Sequence, residues 1–227
     1  MMFASKKPLC VLFDLDGTLV DTAPDLIACL NEAFIEQGFN AFPISHLKPK
    51  VSFGIEVMID NCVDSSVSQH DRRVILEGML TRYEQNVATY SQFFEGMPEV
   101  LAYLDSCQMP WGIVTNKRER FTHRLIDALG LTPRLACVIS GDTTSHPKPH
   151  PAPLFEASKR VGVAAHDCLY IGDAQHDIVA GKQAGMMTLV AAYGYLQQDD
   201  APHTWGADGI VESPLAILDW LQSASCC

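Results

Sequence analysis

A chain of 227 residues lies between one and two typical domain lengths of roughly 150 residues. With 48% hydrophobic and 19% charged residues it has apolar material for a sizeable core, which excludes a disordered chain or a disulfide-stapled miniprotein. Sixteen Lys and Arg against 27 Asp and Glu give a net charge of −11, and binding to nucleic acid or an anionic membrane needs a basic face that such a chain lacks.

The chain opens MMFASKKPLCVLFDLDG, where the apolar run Leu9–Phe13 reads as a buried strand that Asp14 ends. That run is too short for the core of a signal peptide. The uncharged stretch around Met186–Gln198 carries Gly194, Gln197 and Gln198 and is no membrane span. The eight Cys are scattered with no C-x-x-C pair, and Cys226-Cys227 read as a frayed tail. A reducing, cytoplasmic setting is expected.

Thr22-Ala23-Pro24-Asp25 reads as a helix start with Thr22 as its cap. Leu26, Ile27, Leu30, Phe34 and Ile35 follow at helical spacing until Gly38. The breaker-rich stretch from Pro43 to Gly54 reads as a loop, and Ile55–Val63 and Arg72–Val87 as two further helices. After Gly96-Met97-Pro98 the rhythm changes. Helices over Pro98–Leu104, Arg118–Leu129, Ala152–Val161, Ile178–Ala184 and Leu215–Leu221 alternate with strands over Trp111–Val114, Ala136–Ile139, Cys168–Ile171, Met187–Ala191 and Ile210–Val211. Alternation of this kind predicts an α/β fold with a parallel sheet wound on both faces. The first strand belongs to that sheet, so residues 1–20 and 94–227 form its domain, and residues 21–93 a helical insertion.

In open parallel α/β sheets, ligands bind beyond the carboxyl ends of the strands. Four such ends here carry chemistry. They are Asp14-Leu15-Asp16-Gly17-Thr18, then Thr115-Asn116-Lys117, then the loop reaching His146-Pro147-Lys148-Pro149, and Gly172-Asp173 with Asp177 beyond. Taken singly, an aspartate after a strand is a turn former, Thr115-Asn116 a helix cap and Lys148 a solvated lysine. Their convergence is the signal. Asp14 and Asp16, two apart on an extended segment, face the same way. Carboxylates gathered with Asp173 repel by roughly 4 kcal/mol per close pair at an effective dielectric of 20, so the cluster calls for a cation. All-oxygen ligands favour Mg²⁺ over zinc, and such a metal commonly shares its shell with a substrate phosphate, for which Thr115, Asn116 and Lys148 are donors.

The four motifs, Asp14-Leu15-Asp16-Gly17-Thr18, Ile113-Val114-Thr115-Asn116, Lys148-Pro149-x-Pro151 and Gly172-Asp173-x-x-x-Asp177, resemble in order those of the haloacid dehalogenase superfamily of phosphohydrolases. The helical insertion resembles that superfamily's first-type (C1) cap, and the resemblance implies that the α/β sheet is a Rossmann-like core. The resemblance covers essentially the whole chain and is greatest towards phosphoglycolate phosphatases. Gly96-Met97-Pro98-Glu99, Trp111–Lys117, Tyr193-Gly194-Tyr195 and Trp205-Gly206-Ala207-Asp208 are similar to the N-acetylmuramic acid 6-phosphate phosphatases of cell-wall recycling.

The resemblance implies Asp14 as nucleophile, forming an aspartyl-phosphate, and Asp16 as acid/base, its pKa raised by neighbouring carboxylates. Mg²⁺ is then held by Asp14, the Asp16 backbone carbonyl and Asp173. Ala174 stands where a Ser or Asp often occurs, which leaves Asp177 to support the metal. Ser52-Phe53-Gly54 stands where two glycines are usual.

The expected substrate is a small carboxylated phosphate ester, with N-acetylmuramic acid 6-phosphate favoured and phosphoglycolate or another sugar phosphate as alternatives. Lys50, Ser52 and Gly54 of the Pro43–Gly54 stretch are the candidate substrate contacts, Lys50 pairing with the substrate carboxylate. His150 and His176 lie near the motifs in surface or supporting roles. A mutase of the β-phosphoglucomutase kind also keeps Asp16, whereas a dehalogenase would want an aromatic residue there. A phosphonatase would need a Schiff-base lysine, for which Lys48 and Lys50 are present. A non-enzymatic receiver-like phospho-acceptor gives Asp16 no task. The chain is expected to act as a monomer or homodimer, with no nucleic-acid or membrane partner.

Overall fold

The computed structural model describes residues 7–223, so the expectation for Cys226-Cys227 lies outside the described residues. Six parallel strands form one sheet in the order β5-β4-β1-β6-β7-β8. They are β1 (Cys10–Phe13), β4 (Trp111–Val114), β5 (Cys137–Ile139), β6 (Cys168–Gly172), β7 (Met187–Ala191) and β8 (Gly209–Val211). Beside β1, Phe13 is in register with Ile113 of β4 and Ile171 of β6. The chain leaves β1 for neighbours on both sides, which opens a crevice at the carboxyl ends of the central strands.

Side-chain alternation along these strands divides the interior into two layers. Val11, Phe13, Trp111, Ile113, Leu169 and Ile171 join one cluster, packed with α1 (Ala23–Glu36), α5 (Met97–Ser106), α6 (Glu119–Ala128) and α9 (Leu215–Ser223). Cys10, Leu12, Cys137, Ile139, Cys168 and Tyr170 join the other, beneath α7 (Ala152–Val161) and α8 (Gln175–Gln183). The expected doubly wound sheet is present. Cys10, Cys29, Cys62, Cys107, Cys137 and Cys168 are free thiols. No helix among the described residues is long and apolar enough to cross a membrane.

The helical insertion is entered and left through one small ribbon. β2 (Val20–Asp21) pairs antiparallel with β3 (Gln92–Phe93), Val20 opposite Phe93 and Asp21 opposite Gln92. Strands of two residues offer no periodicity to read, so nothing in the sequence marks them. Between them lie α1, α2 (Ile44–Leu47), α3 (Ile55–Asp60) and α4 (Gln69–Gln85). The stretch from Pro43 to Gly54 is not the expected loop. Pro43 caps α2 and Pro49 sits in the first turn of a 3₁₀ helix, Lys48–Phe53, where a missing N–H costs nothing. The helix α4 begins earlier than expected because Ser68 accepts a hydrogen bond from the Asp71 N–H at 3.1 Å.

Candidate active site

The main chain of Asp14 is fixed by donation from its N–H to the Ile171 carbonyl (2.8 Å), and that of Thr115 by donation to the Ile139 carbonyl (2.9 Å). These bonds carry the sheet one residue past the strand ends, so Asp14 and Thr115 stand on rigid backbone. After Asp16 the chain turns through Gly17 at φ +86, where a Cβ would collide with the Asp173 carboxylate and the Tyr195 ring. Glycine is therefore required twice over, for its conformation and for its size. At Gly172 a Cβ would collide with Asp177, so that carboxylate can lie flat against the end of β6.

Asp14, Asp173 and Asp177 are all buried, with carboxylate oxygens within 4.8 Å of one another. Lys148, delivered by the loop before α7, is the only lysine paired with this cluster among the described residues. Its ammonium donates to Asp177 Oδ1 (2.6 Å), the Tyr170 hydroxyl (2.8 Å) and the Val114 carbonyl (3.0 Å). Those three bonds use its three protons. Its approach to Asp14 Oδ1 at 2.9 Å is therefore Coulombic, and that buried oxygen is left with no hydrogen-bond donor.

The electrostatics follow from this packing. Burial pushes the Asp14 carboxyl up to about 7; Lys148 opposes the shift and Asp177 adds to it. Burial, then Asp14 and Asp177, hold Asp173 well above the carboxylate range. Burial also works against ionised Asp177, but Lys148 and His176 overcome it and keep that group below its ordinary value. Lys148 stays raised, since Asp14 and Asp177 outweigh the cost of its burial. A divalent cation fits this set of donors: they are oxygens only, two of the carboxyls are costly to ionise without a cation, and one Asp14 oxygen accepts no hydrogen bond.

Asp177 lies within the carboxylate cluster, where its expected part in supporting a metal would place it. Its Oδ1 accepts from Lys148 and the Tyr170 hydroxyl, and its Oδ2 from the Ala174 N–H at 3.1 Å. These bonds also position Lys148 and the turn into α8. Asn116 is likewise committed, its side-chain amide donating to the Lys148 carbonyl and accepting from the Lys148 N–H, each at 2.9 Å. It pins the lysine loop rather than pointing its amide at a ligand.

Asp16 lies outside the cluster of three, though its charge still raises the Asp14 carboxyl. Its Oδ1 accepts from the Lys117 ammonium (2.8 Å) and the Thr22 hydroxyl (2.5 Å). The groups hydrogen-bonded to its carboxylate are a cation and a hydroxyl, with Asp14 as an acidic neighbour. Thr22 holds the cap position of α1, but its hydroxyl serves Asp16 instead of the helix. Burial disfavours the charged form of Lys117, yet Asp16 and Tyr83 hold its pKa above the ordinary value. Lys117 was visible at its strand end without a partner to give it a role.

Of the candidate contacts from the insertion, Ser52 and Gly54 line the cleft. Ser52 donates to Asp173 Oδ2 at 2.9 Å, beside the Tyr195 N–H on the same oxygen. Lys50 does not reach the site. Its ammonium donates to the His46 carbonyl at 2.8 Å, four residues back on its own helical turn. Lys48 pairs instead with Asp21 at 2.7 Å, at the ribbon. His176 lines the cleft, and burial lowers its pKa; His150 is exposed and stacks on His146. The cleft between insertion and sheet encloses about 690 Å³.

The model of the family described as haloacid dehalogenase-like hydrolase matches residues 11–191. The chain belongs to this family. A phosphoglycolate phosphatase of Xanthomonas campestris pv. campestris is 41% identical over 207 residues, covering 91% of this chain and 93% of its own. An N-acetylmuramic acid 6-phosphate phosphatase of Pseudomonas putida is 37% identical over 216 residues, covering 95% and 97%. Among solved structures, one described as a predicted phosphoglycolate phosphatase from Haemophilus somnus shares the fold, with a TM-score of 0.85 at 24% identity over 95% of this chain and 98% of that one. This haloacid dehalogenase-like protein is an enzyme of the phosphoric monoester hydrolase class, which sets aside the receiver-like alternative.

Proposed function

We propose that the enzyme hydrolyses phosphate monoesters by two in-line displacements through Asp14, and that residues 21–93 act as a cap over the reaction. The observation that carries this reading is the Asp14 carboxylate, rigidly held at a central strand end, buried, and with one oxygen lacking any hydrogen bond. In the first displacement that carboxylate bonds to phosphorus as the ester P–O bond breaks, and Asp16 gives its proton to the departing oxygen. In the second, water bonds to phosphorus and gives its proton to Asp16, and Asp14 is released.

Lys148 holds negative charge at the phosphoryl group, while the Thr115 hydroxyl and the Asn116 main-chain N–H orient its oxygens. Asp177 keeps Lys148 in place. Asp14, Asp173 and the Asp16 main-chain carbonyl are the groups that would hold Mg²⁺, which when bound supplies positive charge to the phosphoryl oxygens. Lys117 and Thr22 orient the Asp16 carboxylate.

The favoured substrate is N-acetylmuramic acid 6-phosphate, with phosphoglycolate the alternative. The size of the cleft supports the larger one. A volume of about 690 Å³ falls in the range of roughly 300–1,000 Å³ typical of pockets for drug-sized ligands, and a two-carbon acid would leave most of it to water. Apolar walls from Leu26, Leu76 and Leu80 suit the methyl groups and ring face of a substituted sugar. The test is Mg²⁺-dependent phosphate release from both esters. A higher kcat/KM on N-acetylmuramic acid 6-phosphate is expected; a higher value on phosphoglycolate overturns the assignment.

A further inference from the structure

In the mechanism above Asp16 protonates the departing oxygen, so side chains just beyond its carboxylate are those a leaving group meets. The first is Lys117, whose ammonium stands 4.7 Å from the centre of the Tyr83 ring of α4. Tyr83 is 1% exposed and lines the cleft, and its hydroxyl, which interacts with the Lys117 ammonium, makes no hydrogen bond of good geometry. A buried phenol pays a desolvation cost unless an acceptor meets it. Its ring is held from behind by Phe121, with centroids 5.4 Å apart, so the hydroxyl is presented by a rigid body.

Arg118, the next residue along, lines the same cleft from the sheet side. Every other arginine of the chain pairs with a carboxylate or, for Arg120, lies on the Phe121 ring. Among the described residues the Arg118 guanidinium has no ion pair, side-chain hydrogen bond or ring contact. In a chain of net charge −11, an arginine left unpaired beside a cleft is a conspicuous exception. Guanidinium forks match carboxylates in geometry and charge.

We propose that Tyr83 and Arg118 form the subsite that reads the leaving group, Arg118 pairing with a carboxylate on it and the Tyr83 hydroxyl donating to one of its oxygens. Lys50, committed to the His46 carbonyl, is not the carboxylate partner. The proposal rests on the phosphatase reading above and adds to it the residues that choose the ester.

The experiment compares matched ester pairs in the Mg²⁺-loaded enzyme. Phosphoglycolate is set against ethyl phosphate, which carries a methyl in place of the carboxylate, and N-acetylmuramic acid 6-phosphate against N-acetylglucosamine 6-phosphate, which lacks the whole lactyl ether that bears it. In Arg118→Ala, kcat/KM for the carboxylated member should fall at least tenfold further than for its partner, mainly through KM, and Arg118→Lys should recover part of the loss. In Tyr83→Phe, kcat/KM on the preferred ester should fall several-fold while Tm changes little, because the hydroxyl makes no hydrogen bond of good geometry in the free protein. Equal losses within each pair, or none, overturn the Arg118 assignment, and unchanged kinetics in Tyr83→Phe overturn that of Tyr83. Wild-type enzyme that prefers the members without a carboxylate overturns the substrate reading itself. Wild-type preference for the carboxylate with an unaltered ratio in Arg118→Ala overturns the subsite alone.

Discussion

Asp14 and Asp173 illustrate how a binding site is built at the expense of stability. Both carboxyls are raised, so the folded chain holds protons there that the unfolded chain has released. For a carboxyl raised in this direction, folding stability falls as pH climbs from the ordinary carboxylate range through the folded-state pKa, about 7 for Asp14 and well above the usual range for Asp173. Metal-free Asp173→Asn should therefore have a higher Tm than metal-free wild type at pH 8, with the difference vanishing near pH 4. It should also lose its Mg²⁺ response. A lower Tm at pH 8 would mean that Asp173 is stabilising. The same sign applies to metal binding, which requires the charged form. Mg²⁺ affinity should rise with pH through about 7, and titration calorimetry in two buffers of different ionisation enthalpy should show net proton release. A pH-independent affinity would contradict the assigned ligands.

Asp16 has the opposite surroundings, a lysine and a hydroxyl. If it is the acid, Asp16→Asn should cost about 10²–10⁴ in kcat on alkyl esters. The loss on p-nitrophenyl phosphate should be much smaller, since that leaving group needs little protonation. Steady-state kinetics on the two substrates decides this, and equal losses would remove Asp16 from the proton path.

At the scale of elements, the ribbon of β2 and β3 meets the loop after β7 at one side chain. The Tyr195 hydroxyl accepts from the N–H groups of Thr22 (2.7 Å) and Ala23 (3.0 Å) and donates to Asp21 Oδ1 (2.8 Å). Its own N–H donates to Asp173 at 2.9 Å. One residue thereby ties the start of α1, the ribbon and the carboxylate cluster together. Tyr195→Phe strands two N–H donors at the helix start and should lower stability by about 1–3 kcal/mol, read as a shift in the urea midpoint. Because Thr22 also serves Asp16, the loss in kcat should exceed the loss in affinity for substrate. An unchanged midpoint would show that water replaces the hydroxyl.

These connections explain where the sequence was legible. Strands such as Trp111–Val114 and helices such as Ala152–Val161 declare themselves by local periodicity and by glycines such as Gly162, and the chemistry at their ends is equally local. Asp14, Thr115, Lys148 and Asp173 could therefore be found together from strand ends alone. Partners far apart in sequence could not. Lys117 meets Asp16 across 101 residues and Ser52 meets Asp173 across 121, and no spacing rule relates them. Lys50 misled because it shares a basic stretch with Lys48, while the helical turn there sends its ammonium back to His46. Asn116 has the right chemistry for phosphate but a nearer claim on its amide.

For the molecule as a whole, the proposed mechanism has the sheet supply the reaction and the insertion bound the space in which a substrate is chosen. One apolar cluster runs from Phe13 and Trp111 through Leu26 and Ile27 to Met58 and Tyr83, so the two parts share a core as well as a cleft. Central to the account is covalent transfer of the phosphoryl group to Asp14. The most direct measurement is to quench the Mg²⁺-loaded enzyme during turnover, reduce it with tritiated borohydride, and locate the label by peptide mass spectrometry. Acyl phosphates are reduced to alcohols under these conditions and free carboxylates are not. The account predicts label at Asp14 that requires substrate; label on another residue, with the peptide carrying Asp14 unmodified, would contradict it.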